Sequence, residues 1–139
     1  MTLHATGAFE VKTTPLPPDD ATGGAGVDIG IGRYALDKQF HGDLEAAGKG
    51  EMLGAGDPAK GTAGYVAIER VTGTLHGHSG SFALQHNGTM DQGKFQVTVT
   101  VVRGSGAGGL VGIAGTMTII ITNGKHSYDF EYTLPESSE

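Results

Sequence analysis

Glu69 and His86 are the residues of this chain best placed to do chemistry. Each interrupts a run in which every second residue is small or apolar: Tyr65, Ala67, Val71 and Leu75 around Glu69, and Phe82, Leu84 and Gly88 around His86. In a strand, a period-2 run faces one way, so both ionisable groups point where the apolar side chains point. A carboxylate in apolar surroundings costs on the order of several kcal/mol unless it is paired. A turn at Gly77-His78 sets Glu69 directly opposite His86, with Cβ atoms about 4.5–5.5 Å apart, within reach of a carboxylate–imidazole hydrogen bond. Lys38 is the inward charge of its own strand pair and can join them. A lysine, a glutamate and a histidine on an apolar wall can hold the polar end of a ligand or move a proton on it. The competing reading is a structural polar network closing one end of a core.

The elements that must hold these residues are strands. No segment carries a helical stripe, and alternation broken by Gly-centred turns runs through the chain. The expected strands are roughly 3–13, 27–40, 44–54, 62–76, 79–91, 94–103, 110–122 and 125–134. Residues 15–26, 55–61 and 104–109 read as loops, the last a flexible hairpin loop, and 135–139 as a frayed tail after a single domain over 1–134. Asn123-Gly124 is the strongest turn signal; it pairs Ile121 with His126, Ile119 with Tyr128, Met117 with Phe130, Gly115 with Tyr132 and Ile113 with Leu134. A turn at Gln92-Gly93 pairs Met90 with Phe95, Gly88 with Val97, His86 with Val99 and Leu84 with Val101. The turn at Gly77-His78 pairs Leu75 with Gly80, Val71 with Leu84 and Tyr65 with Met90. A three-residue loop around Gly42 pairs Phe40 with Leu44, Lys38 with Ala46, Leu36 with Gly48 and Tyr34 with Gly50, which turns Asp43, Glu45 and Glu51 outward. Consecutive antiparallel strands with one apolar face and no helix to cover it must close on themselves. The expected fold is all-β, a single eight-stranded antiparallel meander barrel.

Composition narrows the function. The chain has 139 residues, enough for one domain; 37% are hydrophobic and 17% charged, which excludes general disorder. There is no cysteine, which excludes disulfides, thiolate catalysis and cysteine-based zinc sites. A formal net charge of −6 argues against a nucleic-acid or anionic-membrane partner. No apolar run is long enough for a membrane helix, and Met1-Thr2-Leu3-His4 lacks the opening of a signal peptide, so a cytoplasmic location is expected. His76-Gly77-His78 has metal-ligand composition but no third ligand, so no metal and no cofactor is expected. The glycine run at 104–109 leads into a strand and not a helix N-terminus, so it lacks the phosphate-binding mechanism. Asn87-Gly88-Thr89 is a glycosylation sequon in mid-strand and is set aside. His126 belongs at a barrel mouth, and His4 and His41 at surface strand ends.

Two central segments, Glu69-Arg70-Val71-Thr72-Gly73-Thr74-Leu75 and Gly80-Ser81-Phe82-Ala83-Leu84-Gln85-His86-Asn87-Gly88-Thr89, resemble the DUF3224 family of uncharacterised bacterial proteins. Phe40-His41-Gly42-Asp43-Leu44-Glu45 and the stretch from Gly104 to Gly115 add to the resemblance, which spans Phe9 to Leu134. Ala107 departs from a Gly-Ser-Gly-Thr-Gly pattern more usual in the family. That family is similar to the allene oxide cyclase and dirigent barrels, which implies an eight-stranded barrel around a hydrophobic cavity and no particular chemistry.

Three functional expectations follow. The first is a binding module for a small, mainly apolar molecule, with Lys38, Tyr65, Glu69, Phe82, His86, Tyr128, Phe130 and Tyr132 as the ligand-binding set. The second is a cofactor-independent isomerase or cyclase with Glu69 or His86 as the proton-transfer residue. The third is an oligomeric scaffold, a homodimer built on the outward apolar residues Val66, Ile68, Ala83, Val102 and Ile120.

Overall fold

The structure, a computed structural model, describes residues 2–16 and 31–135. Nine strands are present in this range: β1 Leu3–Leu16, β2 Ile31–Gly42, β3 Leu44–Asp57, β4 Thr62–Leu75, β5 His78–Asp91, β6 Lys94–Val101, β7 Ala107–Gly108, β8 Ala114–Thr122 and β9 Lys125–Thr133. Eight of them form a closed antiparallel meander: neighbours pair in order from β1 to β6, β6 continues to β8 and β8 to β9, and β9 returns to β1. The short β7 lies outside the cycle and pairs with β5. No helix among the described residues is long and apolar enough to cross a membrane.

Alternation put the right residues inside. Phe40, Val71, Leu75, Phe82, Leu84, Phe130 and Tyr132 are buried, while Thr116, Thr118 and Glu131 face outward. Two hairpins follow the expected register throughout their ladders. Ile121 pairs with His126 and Gly115 with Tyr132 across β8–β9, and Met90 pairs with Phe95 and Leu84 with Val101 across β5–β6. The β8–β9 ladder ends at Ala114 and Thr133, so Ile113 and Leu134 are not a ladder pair.

Two registers differ from expectation, each by two residues. The β4–β5 turn is His76-Gly77, both in the left-handed region at φ 46° and 83°, so Leu75 faces His78, Val71 faces Phe82 and Tyr65 faces Gly88. Glu69 therefore faces Leu84, and His86 faces Ala67. At β2–β3, Phe40 pairs with Ala46, Lys38 with Gly48, Leu36 with Gly50 and Tyr34 with Met52. This connection is longer than three residues because neighbouring strands shape it. The Asp43 amide donates to the Thr6 carbonyl (3.1 Å), and the Thr6 amide donates to the Asp43 carboxylate (2.9 Å). The Tyr128 hydroxyl sits inside the turn, accepting from the Leu44 amide and donating to the His41 carbonyl, both at 2.9 Å.

Several boundaries also move. β1 continues through Pro15 and Leu16, which pair with Tyr34 and Arg33. Proline fits there because the β9 ladder on the other side of β1 has already ended at Phe9, and among the described residues no other strand pairs with that edge to need the missing N–H. Residues 17–26 of the expected loop, 27–30 of the expected second strand and 136–139 of the expected tail lie outside the described residues. β3 runs on to Asp57, whose side chain accepts from the Ala59 amide at 3.0 Å and opens a single 3-10 turn over Pro58–Lys60.

The glycine run is not a flexible loop. Ala107 and Gly108 pair with Ser81 and Gly80, and Gly109 donates to the Ser79 carbonyl. The two backbones approach so closely that a Cβ on Gly80 would lie 2.1 Å from the Ala107 carbonyl oxygen. Residues 110–113 form turns and not the start of a strand; Leu110 and Ile113 are buried there and close one end of the barrel.

Candidate functional site

The barrel is filled at one end and hollow at the other. At the end holding the β2–β3 and β4–β5 turns, Phe82 stacks on Phe130 (5.6 Å between centroids) and Phe130 on Tyr132 (5.3 Å), while Phe40 meets Tyr128 edge-on at 5.8 Å. These rings pack against one another in the core. Phe82, Tyr128, Phe130 and Tyr132, expected as ligand-binding residues, are thus placed in the packed end. Tyr132 is also tied by a short hydrogen bond to His76, whose ring approaches the Asp43 carboxylate. The backbone amide of Thr6, donating to Asp43, holds that carboxyl below its usual range.

Toward the other end lie two adjoining chambers of about 280 and about 180 Å³. They share Met52, Tyr65 and Phe95 on their walls. The smaller reaches down to Lys38 and His86, and its other walls are largely apolar, among them Phe9, Leu36 and Val97. The larger runs along Gly54, Gly64 and Gly88, where absent side chains make the space. Tyr65 lies across Gly88, its ladder partner; a Cβ on Gly88 would sit 2.1 Å from the Tyr65 ring. Tyr65 stacks nearly parallel on Phe95 at 6.4 Å. Val11, Phe95 and Ile121 line the chambers and remain partly in solvent, an apolar mouth. His126 also lines the smaller chamber and packs on Phe9 at 5.2 Å.

The floor of this cavity is ionic. Lys38, Glu69 and His86 are 7%, 0% and 4% exposed. One carboxylate oxygen, Glu69 Oε1, accepts from Lys38 Nζ at 2.8 Å and from His86 Nε2 at 2.7 Å. Lys38 Nζ also lies over the rings of Phe9 and Phe40, at 5.3 and 5.8 Å from their centroids, a favourable place for a cation. Burial alone would push the Glu69 carboxyl up; the His86 hydrogen bond and the Lys38 charge outweigh it, and the carboxyl is held below its ordinary value. Burial and the Glu69 charge push the Tyr65 hydroxyl up, so it stays neutral.

An ionised carboxylate only accepts, so His86 Nε2 carries the hydrogen it donates. In the neutral ring Nδ1 is then a bare acceptor, and it makes no hydrogen bond with the described residues. The other carboxylate oxygen, Glu69 Oε2, is buried without a hydrogen bond and packs against the backbone at Gly48, where a Cβ would lie 2.6 Å away. Sequence reasoning brought Lys38, Tyr65, Glu69 and His86 to one place, and the structure joins them. It missed Gly54 and Gly64 of the larger chamber, whose signal was the run of small residues on β3 and β4. Among the described residues, no three His, Cys, Asp or Glu side chains gather so as to hold a metal ion.

Comparison with known proteins gives a family and a fold. No curated protein matches the chain. A crystal structure of a protein with unknown function from the DUF3224 family of Shewanella oneidensis MR-1 is 49% identical, with a TM-score of 0.87, covering 99% of this chain and 100% of that one. The model of the family described as "Protein of unknown function (DUF3224)" matches residues 5–132, and the chain belongs to that family.

Proposed function

We propose that this barrel binds a small, mainly apolar molecule in its hollow end, with the molecule's polar end on Lys38 and His86. The observation that carries the reading is the pairing of an apolar-walled cavity with a buried ionic floor. Ligand sites are mostly apolar with a few placed polar groups, and the two chambers together reach the usual size range of several hundred Å³. Two experiments test it. Native mass spectrometry of protein purified from its own host should reveal a co-purifying small molecule. Titration with 1-aminoanthracene should give saturable fluorescence enhancement that Gly54→Leu, which fills the larger chamber, removes. A protein that carries nothing and enhances nothing does not have this function.

A second reading, a cofactor-independent isomerase or cyclase, is favoured by the Glu69–His86 hydrogen bond, which orients a histidine toward the cavity as a base would need. Loss of turnover of a candidate substrate in both Glu69→Gln and His86→Gln, with the fold intact, supports it. A homodimer is the proposal left for the outer face. Leu53, Val66 and Ile68 are exposed there, with Leu53 and Val66 directly paired across β3–β4. Ile120 lies on β8, away from that patch, and Ala83 and Val102 are half-buried. Sedimentation equilibrium of the purified chain reads the state directly.

A further inference from the structure

We infer that the cavity floor selects a ligand with an acidic hydroxyl, a phenol or an enol, and holds it as the anion with its proton on His86. The inference rests on the binding reading above and names the chemistry of the ligand's polar end. Lys38 Nζ and His86 Nε2 share one oxygen of Glu69, so the ammonium and the imidazole sit within two hydrogen bonds of each other. Both residues line the same chamber. Lys38 has donors left after its bond to Glu69, and His86 offers Nδ1 as an acceptor. A hydroxyl fits both: its oxygen accepts from Lys38, and its hydrogen points to Nδ1.

Charge accounting favours this class. With the imidazole neutral, the Lys38 and Glu69 charges cancel across their 2.8 Å contact. A hydroxyl then transfers its proton within the site: the O–H bond breaks, an N–H bond forms at Nδ1, and the electron pair stays on oxygen. The imidazolium faces Glu69 at 2.7 Å and the oxyanion faces Lys38, so two pairs replace one and the net charge is unchanged. A carboxylate arrives already charged and leaves the floor one charge negative unless a proton comes from solvent. A purely apolar molecule leaves Nδ1 and the remaining ammonium hydrogens with no partner. The other titratable groups on the wall are Tyr65, whose hydroxyl stays neutral, and His126, carried on β9.

The probe is 4-nitrophenol, whose anion absorbs in the visible region and whose neutral form does not. Because the transfer is internal, the bound probe should keep its phenolate band about two pH units below the midpoint of the free probe, an increase in acidity of at least about a hundredfold. Lys38→Met and His86→Gln should each return the bound probe to the acidity of the free one, or weaker. Naphthalene, of similar shape and with no hydroxyl, should bind all three proteins. A probe that binds only in its neutral form overturns the inference and leaves the cavity reading standing. Failure of both probes to bind removes the cavity reading itself. A phenolate band lost in His126→Gln and kept in His86→Gln moves the proton elsewhere and overturns the assignment. If a variant fails to fold, the titration of the unaltered protein still decides.

Discussion

Glu69 and His86 meet on a diagonal. Glu69 faces Leu84 across β4–β5 and His86 faces Ala67, yet the carboxylate and the imidazole are 2.7 Å apart. Diagonal neighbours on one face of a sheet lie within reach of long side chains. The contact leaves Oε1 free to accept from Lys38 as well, so one oxygen ties β2, β4 and β5 across the barrel interior.

That sharing predicts a particular mutational pattern. Glu69→Gln strands the buried Lys38 charge and should cost about 3–5 kcal/mol of folding stability. Adding Lys38→Met removes the stranded charge while the Gln carbonyl still accepts from His86. The double variant should therefore be more stable than Glu69→Gln alone. Urea denaturation of the wild type, the two single variants and the double variant measures it; a double variant that loses the sum of the two single losses refutes the shared-oxygen account.

Acid should undo the same contact. The Glu69 carboxyl is held below its ordinary value of 4.5 in the folded protein. A depressed folded value contributes stability above the unfolded value, and that contribution disappears as pH falls through the folded one. The wild-type urea midpoint should thus fall as pH drops below about 4.5, and the gap between wild type and Glu69→Gln should narrow over the same window. Asp43, also held low, remains in both proteins and cancels in that difference. A gap independent of pH would mean that the Glu69 carboxyl titrates alike in the folded and unfolded chains, and a gap that widens on acidification would mean that its folded value is raised.

The glycines of β3 should rank by what a methyl group would meet. At Gly54 the nearest atoms to a Cβ are 3.6 and 3.8 Å away, ordinary contact on the cavity wall. At Gly48 a Cβ would lie 2.6 Å from Glu69 Oε2 and 3.2 Å from the Phe40 ring, and the carboxylate is held by two hydrogen bonds. At Gly50 it would lie 1.9 Å from the Ile68 carbonyl oxygen, which is backbone and cannot turn aside. Gly54→Ala should be nearly neutral, Gly48→Ala should cost about 1–3 kcal/mol, and Gly50→Ala should cost more. Thermal or urea midpoints give the order, and any other order contradicts the close approach seen here.

The inward face was legible in the sequence because strand alternation has a period of two. Misplacing a turn by one position shifts the pairing by two residues and keeps every side chain on its face. That is why Glu69 and His86 were placed inside together although His76-Gly77, and not Gly77-His78, makes the turn. The partner across the ladder does not share this protection. Nor does depth along the barrel, which depends on how far neighbouring strands are staggered. Tyr65 and Tyr132 read alike in sequence, each an aromatic ring in an alternating strand, yet one lines the cavity and the other is packed in the filled end. The β2–β3 turn was illegible for another reason: Thr6 and Tyr128, from strands far away in sequence, determine its shape.

Turn chemistry supplies a last test, independent of the cavity. Three two-residue turns place a non-glycine residue in the left-handed region followed by glycine: His76-Gly77, Gln92-Gly93 and Asn123-Gly124, with first-position φ of 46°, 52° and 52°. Asparagine tolerates this region better than other side chains, and Asn-Gly is the preferred pair for such hairpins. His76 is kept by its contacts to Tyr132 and Asp43. Gln92 is exposed and has no such tie in its side chain. Gln92→Asn should therefore stabilise the protein by about 0.5–1 kcal/mol through the backbone alone, while His76→Asn should destabilise it by releasing Tyr132. Comparing the two urea midpoints separates turn preference from tertiary tethering: a stabilising His76→Asn would show that the His76–Tyr132 hydrogen bond contributes less than the strain at its own φ.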